Sequence, residues 1–64
     1  MTESEALREA IRRWGPGGFV RIQADGSKLY SVGVLTADFY WIKGTGQTWE
    51  GAFEQADKNA KKQG

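Results

Sequence analysis

The groups in this chain able to hold or transform another molecule are few: the cations Arg21, Lys28 and Lys43 and the rings Phe19, Tyr30 and Trp41, all between positions 19 and 43. There is no His and no Cys. Their absence removes the usual transition-metal ligands, the commonest general base and the soft nucleophile, leaving carboxylates, hydroxyls and lysines for any chemistry. It also rules out disulfide staples and thiolate-held zinc. The residue types therefore point to recognition rather than catalysis, with no cofactor, metal or small-molecule substrate expected. Aromatic and Arg side chains are the types enriched at protein interface hot spots, and they also stack bases and approach phosphates.

Size and charge narrow the partners. A chain of 64 residues is expected to be one domain spanning 1–64, and it buries only about 60% of the surface that it exposes when unfolded, so its core is thin and leaves no room for an enclosed catalytic cavity. Nine basic and eight acidic residues give a net charge of +1, too little to steer phosphate backbones or acidic membranes over distance. No apolar run approaches the roughly 20 residues that span a bilayer. The polar start Met1-Thr2-Glu3-Ser4-Glu5 does not read as a secretory signal, and a cytoplasmic setting is expected.

The elements that must position those groups follow from periodicity. Leu7, Ala10, Ile11 and Trp14 recur at helical spacing, predicting an amphipathic helix over 3–14, capped by Thr2 or Ser4 and stopped by Gly15-Pro16-Gly17-Gly18. Along it, Glu5 and Glu9 lie within a turn of Arg8, Arg12 and Arg13, so these arginines are expected to be neutralised within the helix. Residues 18–36 read as a β-hairpin around a two-residue Asp25-Gly26 turn, a pair suited to the positive φ angles of a type I′ turn. Counting outward pairs Ala24 with Ser27, Ile22 with Leu29, Arg21 with Tyr30 and Phe19 with Val32. Phe39-Tyr40-Trp41-Ile42-Lys43 suits a third strand, ended by Gly44-Thr45-Gly46. Thr48 then caps a second helix whose apolar stripe is Trp49, Ala52, Phe53, Ala56 and Ala60.

The fold class expected is α+β: a two-layer α-β-β-β-α unit with both helices on one face of a three-stranded antiparallel sheet. Alternation assigns Val20, Ile22, Leu29, Ser31, Gly33 and Leu35 to the covered face, and Phe19, Arg21, Gln23, Lys28, Tyr30, Val32 and Val34 to the open one, joined by either Phe39, Trp41 and Lys43 or Tyr40 and Ile42, since nothing in the sequence fixes the register of the third strand. In order and length the chain resembles the double-stranded-RNA-binding domain. The local likeness is carried by Gly44-Thr45-Gly46-Gln47-Thr48, Ala52 and Asn59-Ala60-Lys61-Lys62, similar to that family's glycine-rich strand exit and alanine-rich last helix. The resemblance implies the fold and, with it, binding of duplex RNA. The family's phosphate-clamping lysines at the start of its second helix correspond here to Trp49-Glu50-Gly51, and its long first loop corresponds to Asp25-Gly26. A similar three-strand-plus-helix unit occurs in plant-type and integrase arm DNA-binding domains.

The functional expectation is a small non-enzymatic interaction module. It binds a protein partner, or a second copy, through an open sheet face made of Phe19, Arg21, Lys28, Tyr30, Val32, Trp41 and Lys43. In size and equipment such a chain resembles accessory or inhibitory proteins of phages and mobile elements. The alternative is a nucleic-acid binder, either of the duplex-RNA kind or a single-strand binder in which Tyr30 and Trp41 stack bases while Arg21, Lys28 and Lys43 approach phosphates.

Overall fold

The first helix, α1 (Glu3–Trp14), starts where Thr2 supplies a capping box: the Glu5 N–H donates to Thr2 Oγ1 (3.2 Å) and the Thr2 N–H donates to Glu5 Oε1 (2.7 Å). It stops at Gly15, which takes φ +88° while its N–H closes onto the Ile11 carbonyl at 2.7 Å. The computed structural model describes residues 1–25 and 27–63, and the side chains of Asp25, Ser27, Lys62 and Gln63 are not among those described. After α1 come β1 (Gly18–Asp25), β2 (Ser27–Leu35), β3 (Tyr40–Gly46) and α2 (Trp49–Gln63). The three strands form one antiparallel sheet in the order β1-β2-β3. Thr48 caps α2 by accepting the Gly51 N–H at 2.9 Å.

The hairpin register differs from the expected one by a single residue. Asp25 pairs with Ser27, and from there Ala24 pairs with Lys28, Ile22 with Tyr30, Arg21 with Ser31, Val20 with Val32 and Phe19 with Gly33. The two-residue Asp25-Gly26 turn itself falls partly outside the described residues. Side chains alternate with a period of two, so a shift of one reverses every β2 side chain while leaving β1 unchanged. Tyr30 and Val32 therefore join the helix-covered core, with Val32 fully buried, and Leu29, Ser31, Gly33 and Leu35 turn to the open side. Packing decides this register: Val32 sits between Val20 and Gly44, beneath both helices, where a Ser or Gly row would leave the core unfilled.

Both helices lie on that face, and they approach the sheet closely because glycines meet alanines. An ideal Cβ on Gly18 would fall 2.4 Å from the Ala10 carbonyl carbon and oxygen, and one on Gly44 would fall 2.2 Å from the Ala52 oxygen and 2.5 Å from the Ala56 nitrogen. Gly46 meets the Ala52 nitrogen in the same way at 2.8 Å. This corrects the expectation that Gly44-Thr45-Gly46 ends the third strand, since β3 runs through these residues to Gly46. They are glycines because α2 rests on them. Close approach also sets the roll of α1: Ala6 and Ala10 are fully buried, while Leu7 and Ile11, expected in the stripe, are 41% and 42% exposed.

The remaining core is aromatic. Trp49 and Phe53 of α2 are buried beside Ala52 and Ala56. The Tyr30 ring lies 4.5 Å from that of Trp49, and Trp14 stacks on Phe53 at 6.0 Å. Each buried ring contributes roughly 1.5–3 kcal/mol of transfer free energy. The helices are tied across their outer surface by Arg13, whose guanidinium donates to Glu9 (2.6 Å) and Asp57 (2.8 Å) and covers the Phe53 ring at 4.7 Å.

Candidate interaction surface

The uncovered side of the sheet is built in cross-strand rows. Leu35 pairs with Tyr40, Phe19 and Ile42 flank Gly33, Arg21 and Thr45 flank Ser31, and Gln23 pairs with Leu29. Since Gly33 has no side chain, the Tyr40 ring reaches across it, meeting Phe19 edge-on at 5.4 Å and accepting a hydrogen bond at its hydroxyl from Arg21 Nη1 at 3.0 Å. One guanidinium is thus tethered to the hydroxyl of an aromatic pair, and no other hydrogen bond of Arg21 occurs among the described residues. Leu29, Leu35, Tyr40 and Ile42 are 37%, 53%, 42% and 47% exposed, a patch far more apolar than a solvated sheet face requires. Beneath it lies Ser31, 1% exposed, whose Oγ has no hydrogen-bond partner.

Of the residues expected on this face, Phe19 and Arg21 are present. Tyr30 and Val32 are not: as corrected above, they pack under the helices, against Trp49 and within the buried cluster. Lys28 alternates with Tyr30 and shares its side of the sheet. A register shift between β2 and β3 at Val32/Gly33 leaves Trp41 and Lys43 together at the sheet edge, with the Lys43 ammonium 5.1 Å above the Trp41 ring and Phe39 stacked on Trp41 at 5.6 Å. Trp41 and Lys43 line a cleft of about 140 Å³ with Trp14, Ala56 and Asn59. The cations and rings of the single-strand arrangement are therefore dispersed: Arg21 on the open face, Lys28 and Tyr30 on the helix side, Trp41 and Lys43 at the rim.

Leu29 and Leu35 are the members that sequence reasoning missed, and Tyr40 and Ile42 are the second of the two sets that it allowed for the third strand. Tyr40 and Ile42 belong to a strand whose register was left open, and Leu29 and Leu35 were placed on the wrong side by the one-residue shift. A usable signal was present in the even positions of β2, Tyr30, Val32 and Val34, which form a more continuous aromatic and β-branched row than Leu29, Ser31, Gly33 and Leu35.

Charge is arranged differently on the two sides. On α1, Glu9 accepts from Arg12 and Arg13, and these bonds hold its carboxyl well below the ordinary 4.5, at about 2; the same bonds raise Arg12. The expected neutralisation within α1 is met at Glu9, which pairs with Arg12 and Arg13, but not at Glu5, whose carboxylate accepts the Thr2 N–H, nor at Arg8, which has no ion pair among the described residues; on α2, Lys58 and Glu54 pair at 3.5 Å. On the open sheet face, Arg21 has no carboxylate partner among the described residues. Among those residues there is no cluster of acidic side chains able to hold a metal ion, and no helix is long and apolar enough to cross a membrane. No family model, no curated protein and no solved structure matches this chain, and what the structure carries is the α-β-β-β-α order itself.

Proposed function

We propose that this protein is a non-enzymatic interaction module, of the accessory or inhibitory kind, which docks a protein partner through the open face of its sheet. The observation that carries this reading is the exposed apolar set Leu35, Tyr40 and Ile42 beside the half-buried Phe19, with one oriented guanidinium, Arg21, bonded to the Tyr40 hydroxyl. Apolar anchors around a charged-residue donor are the composition of an interface centre. The matching partner surface is apolar with a carboxylate placed for Arg21, since a guanidinium with free donors takes a carboxylate as its strongest ligand. A nucleic-acid role draws less support, because Arg21 is the one cation of the described residues on this face and phosphate binding needs several.

Affinity capture from the native host with the wild-type chain, Arg21→Ala and Tyr40→Ala, at low and high salt, tests this reading. Labelled RNA and DNA are titrated alongside. One protein retained by the wild type through the salt increase, and lost with both variants, is the expected result. Tight nucleic-acid binding that collapses with salt, or identical capture by all three chains, overturns it.

A further inference from the structure

Where the edge of the sheet meets the two helices, Trp14, Trp41, Lys43, Ala56, Asn59 and Ala60 line the cleft of about 140 Å³. It opens at the rim, neither Phe19 nor Arg21 lines it, and it is independent of the open-face reading. Its walls are held from behind. Trp14 stacks on the buried Phe53 at 6.0 Å, and Trp41 stacks on Phe39 at 5.6 Å. Asn59 is committed to the framework, since its amide donates to the Lys43 carbonyl at 2.9 Å and its oxygen accepts from the Gln55 amide at 3.1 Å. Walls fixed before a ligand arrives spare it the cost of ordering them. Apart from Asn59 and Lys43 the lining side chains are aromatic or aliphatic. An apolar space of roughly 150 Å³ accommodates benzene, so this cleft takes one six-membered ring.

Charge determines what that ring must carry. Lys43 is the extra residue of a β-bulge: Gly33 pairs with Ile42 and Val32 with Gly44, which leaves Lys43 without a partner on β2. A bulge gives up ladder pairing and re-aims a side chain. Here the ammonium stands 5.1 Å over the Trp41 ring. No carboxylate lines the cleft, and Lys43 has no ion-pair partner among the described residues. It is a half-buried cation whose charge no lining residue answers.

One ammonium matches one carboxylate, whereas a phosphate monoester carries close to two charges and calls for several donors. We infer that this cleft binds a small aromatic carboxylate, with its ring against Trp14 and Trp41 and its carboxylate on the Lys43 ammonium. The bulge supplies the charge, the two stacked indoles supply the apolar walls, and the Asn59 bond to the Lys43 backbone sets the distance between them and α2.

An amide-resolved NMR titration of the full chain tests this, with benzoate as the probe and benzamide, benzylamine and acetate as controls that remove the charge, reverse it or remove the ring. Benzoate should bind saturably in the millimolar range, as a single ring held by one charge does, moving the amides of Lys43 and Ala60 and the indole N–H signals of Trp14 and Trp41. Each control should bind at least about fivefold more weakly. Lys43→Met keeps an apolar stem and should bring benzoate down to the level of benzamide. Ala60→Leu, at an exposed position of α2, fills the cleft and should abolish binding of both. Circular dichroism confirms that each variant is folded, and the comparison of probes on the wild type needs no variant. Absence of saturable benzoate binding overturns the inference. So do benzylamine bound as tightly as benzoate, phenyl phosphate bound more tightly than benzoate, a preference for benzoate that survives Lys43→Met, undiminished binding in Ala60→Leu, or shifts centred on Phe19 and Arg21.

Discussion

The two faces of this sheet reverse the usual relation between bulk and burial. Under the helices lie Gly18, Gly44 and Gly46, met by Ala10, Ala52 and Ala56 with main chain almost touching main chain, and the larger groups filling the rest are Val20, Tyr30 and Val32. On the uncovered side stand Phe19, Leu29, Leu35, Tyr40 and Ile42. A short chain can make a tight interior from small residues when backbones come close, because close packing depends on filling space rather than on side-chain size. Several large apolar residues, Leu29, Leu35, Tyr40 and Ile42, are then left exposed on the open face, while Trp49 and Phe53 fill the core from the helix side.

That contrast is most severely tested at Gly44. Gly44→Ala places a methyl group against two backbone atoms of α2 and should cost about 3 kcal/mol or more, comparable with the roughly 3–10 kcal/mol total expected for a domain of this length at 0.05–0.15 kcal/mol per residue. Loss of the cooperative melting transition is the readout, and a Tm close to wild type would show that the helix does not rest on this strand. Next in size is Tyr30→Ala, which empties the site beside Trp49 and should destabilise by about 2–3 kcal/mol in urea unfolding. A silent Tyr30→Ala would restore the register read from the Asp25-Gly26 turn.

A smaller effect separates the charged helix surface from both faces. Glu9 is held near 2, against an ordinary 4.5, by Arg12 and Arg13, so its contribution is complete above the unfolded value and is lost as pH falls through the folded one. Tm should therefore decline between about pH 4.5 and about pH 2, and Glu9→Gln should flatten that part of the profile. An unchanged slope in Glu9→Gln would mean that other carboxylates govern acid unfolding. Smallest of all, Leu35→Ser on the open face should leave stability within about 0.5 kcal/mol of wild type, and a large loss there would mean that the face helps to hold the monomer together.

How much of this was legible depended on the range of the signal. The bounds of α1, the caps at Thr2 and Thr48, the stop at Gly15 and the sides assigned to Phe19, Arg21 and Val20 follow from local rules, and the structure agrees with them, whereas Ile22, expected to be covered, is 39% exposed. The register of β2 did not follow, because Asp-Gly favours one turn type while burial of Val32 and Tyr30 against two distant helices favours a pairing shifted by one. Tertiary packing outweighs turn preference when a whole row of side chains is at stake. The role of Gly44 and Gly46 was hidden for the same reason: glycine in sequence marks a turn or a close approach, and only the position of α2 distinguishes them. On the candidate surface, Phe19 and Arg21 were readable from β1 alone, and Tyr40 and Ile42 required the pairing of β3.

The seam at Gly18, Gly44 and Gly46 has an evolutionary consequence. Positions already at the minimum size can change only by growing, so the interior of this fold tolerates almost no drift, and mutational damage there is abrupt rather than graded. The outward rows carry no such restriction. A lineage built on this scaffold is free to rewrite its recognition chemistry residue by residue while the buried seam stays frozen.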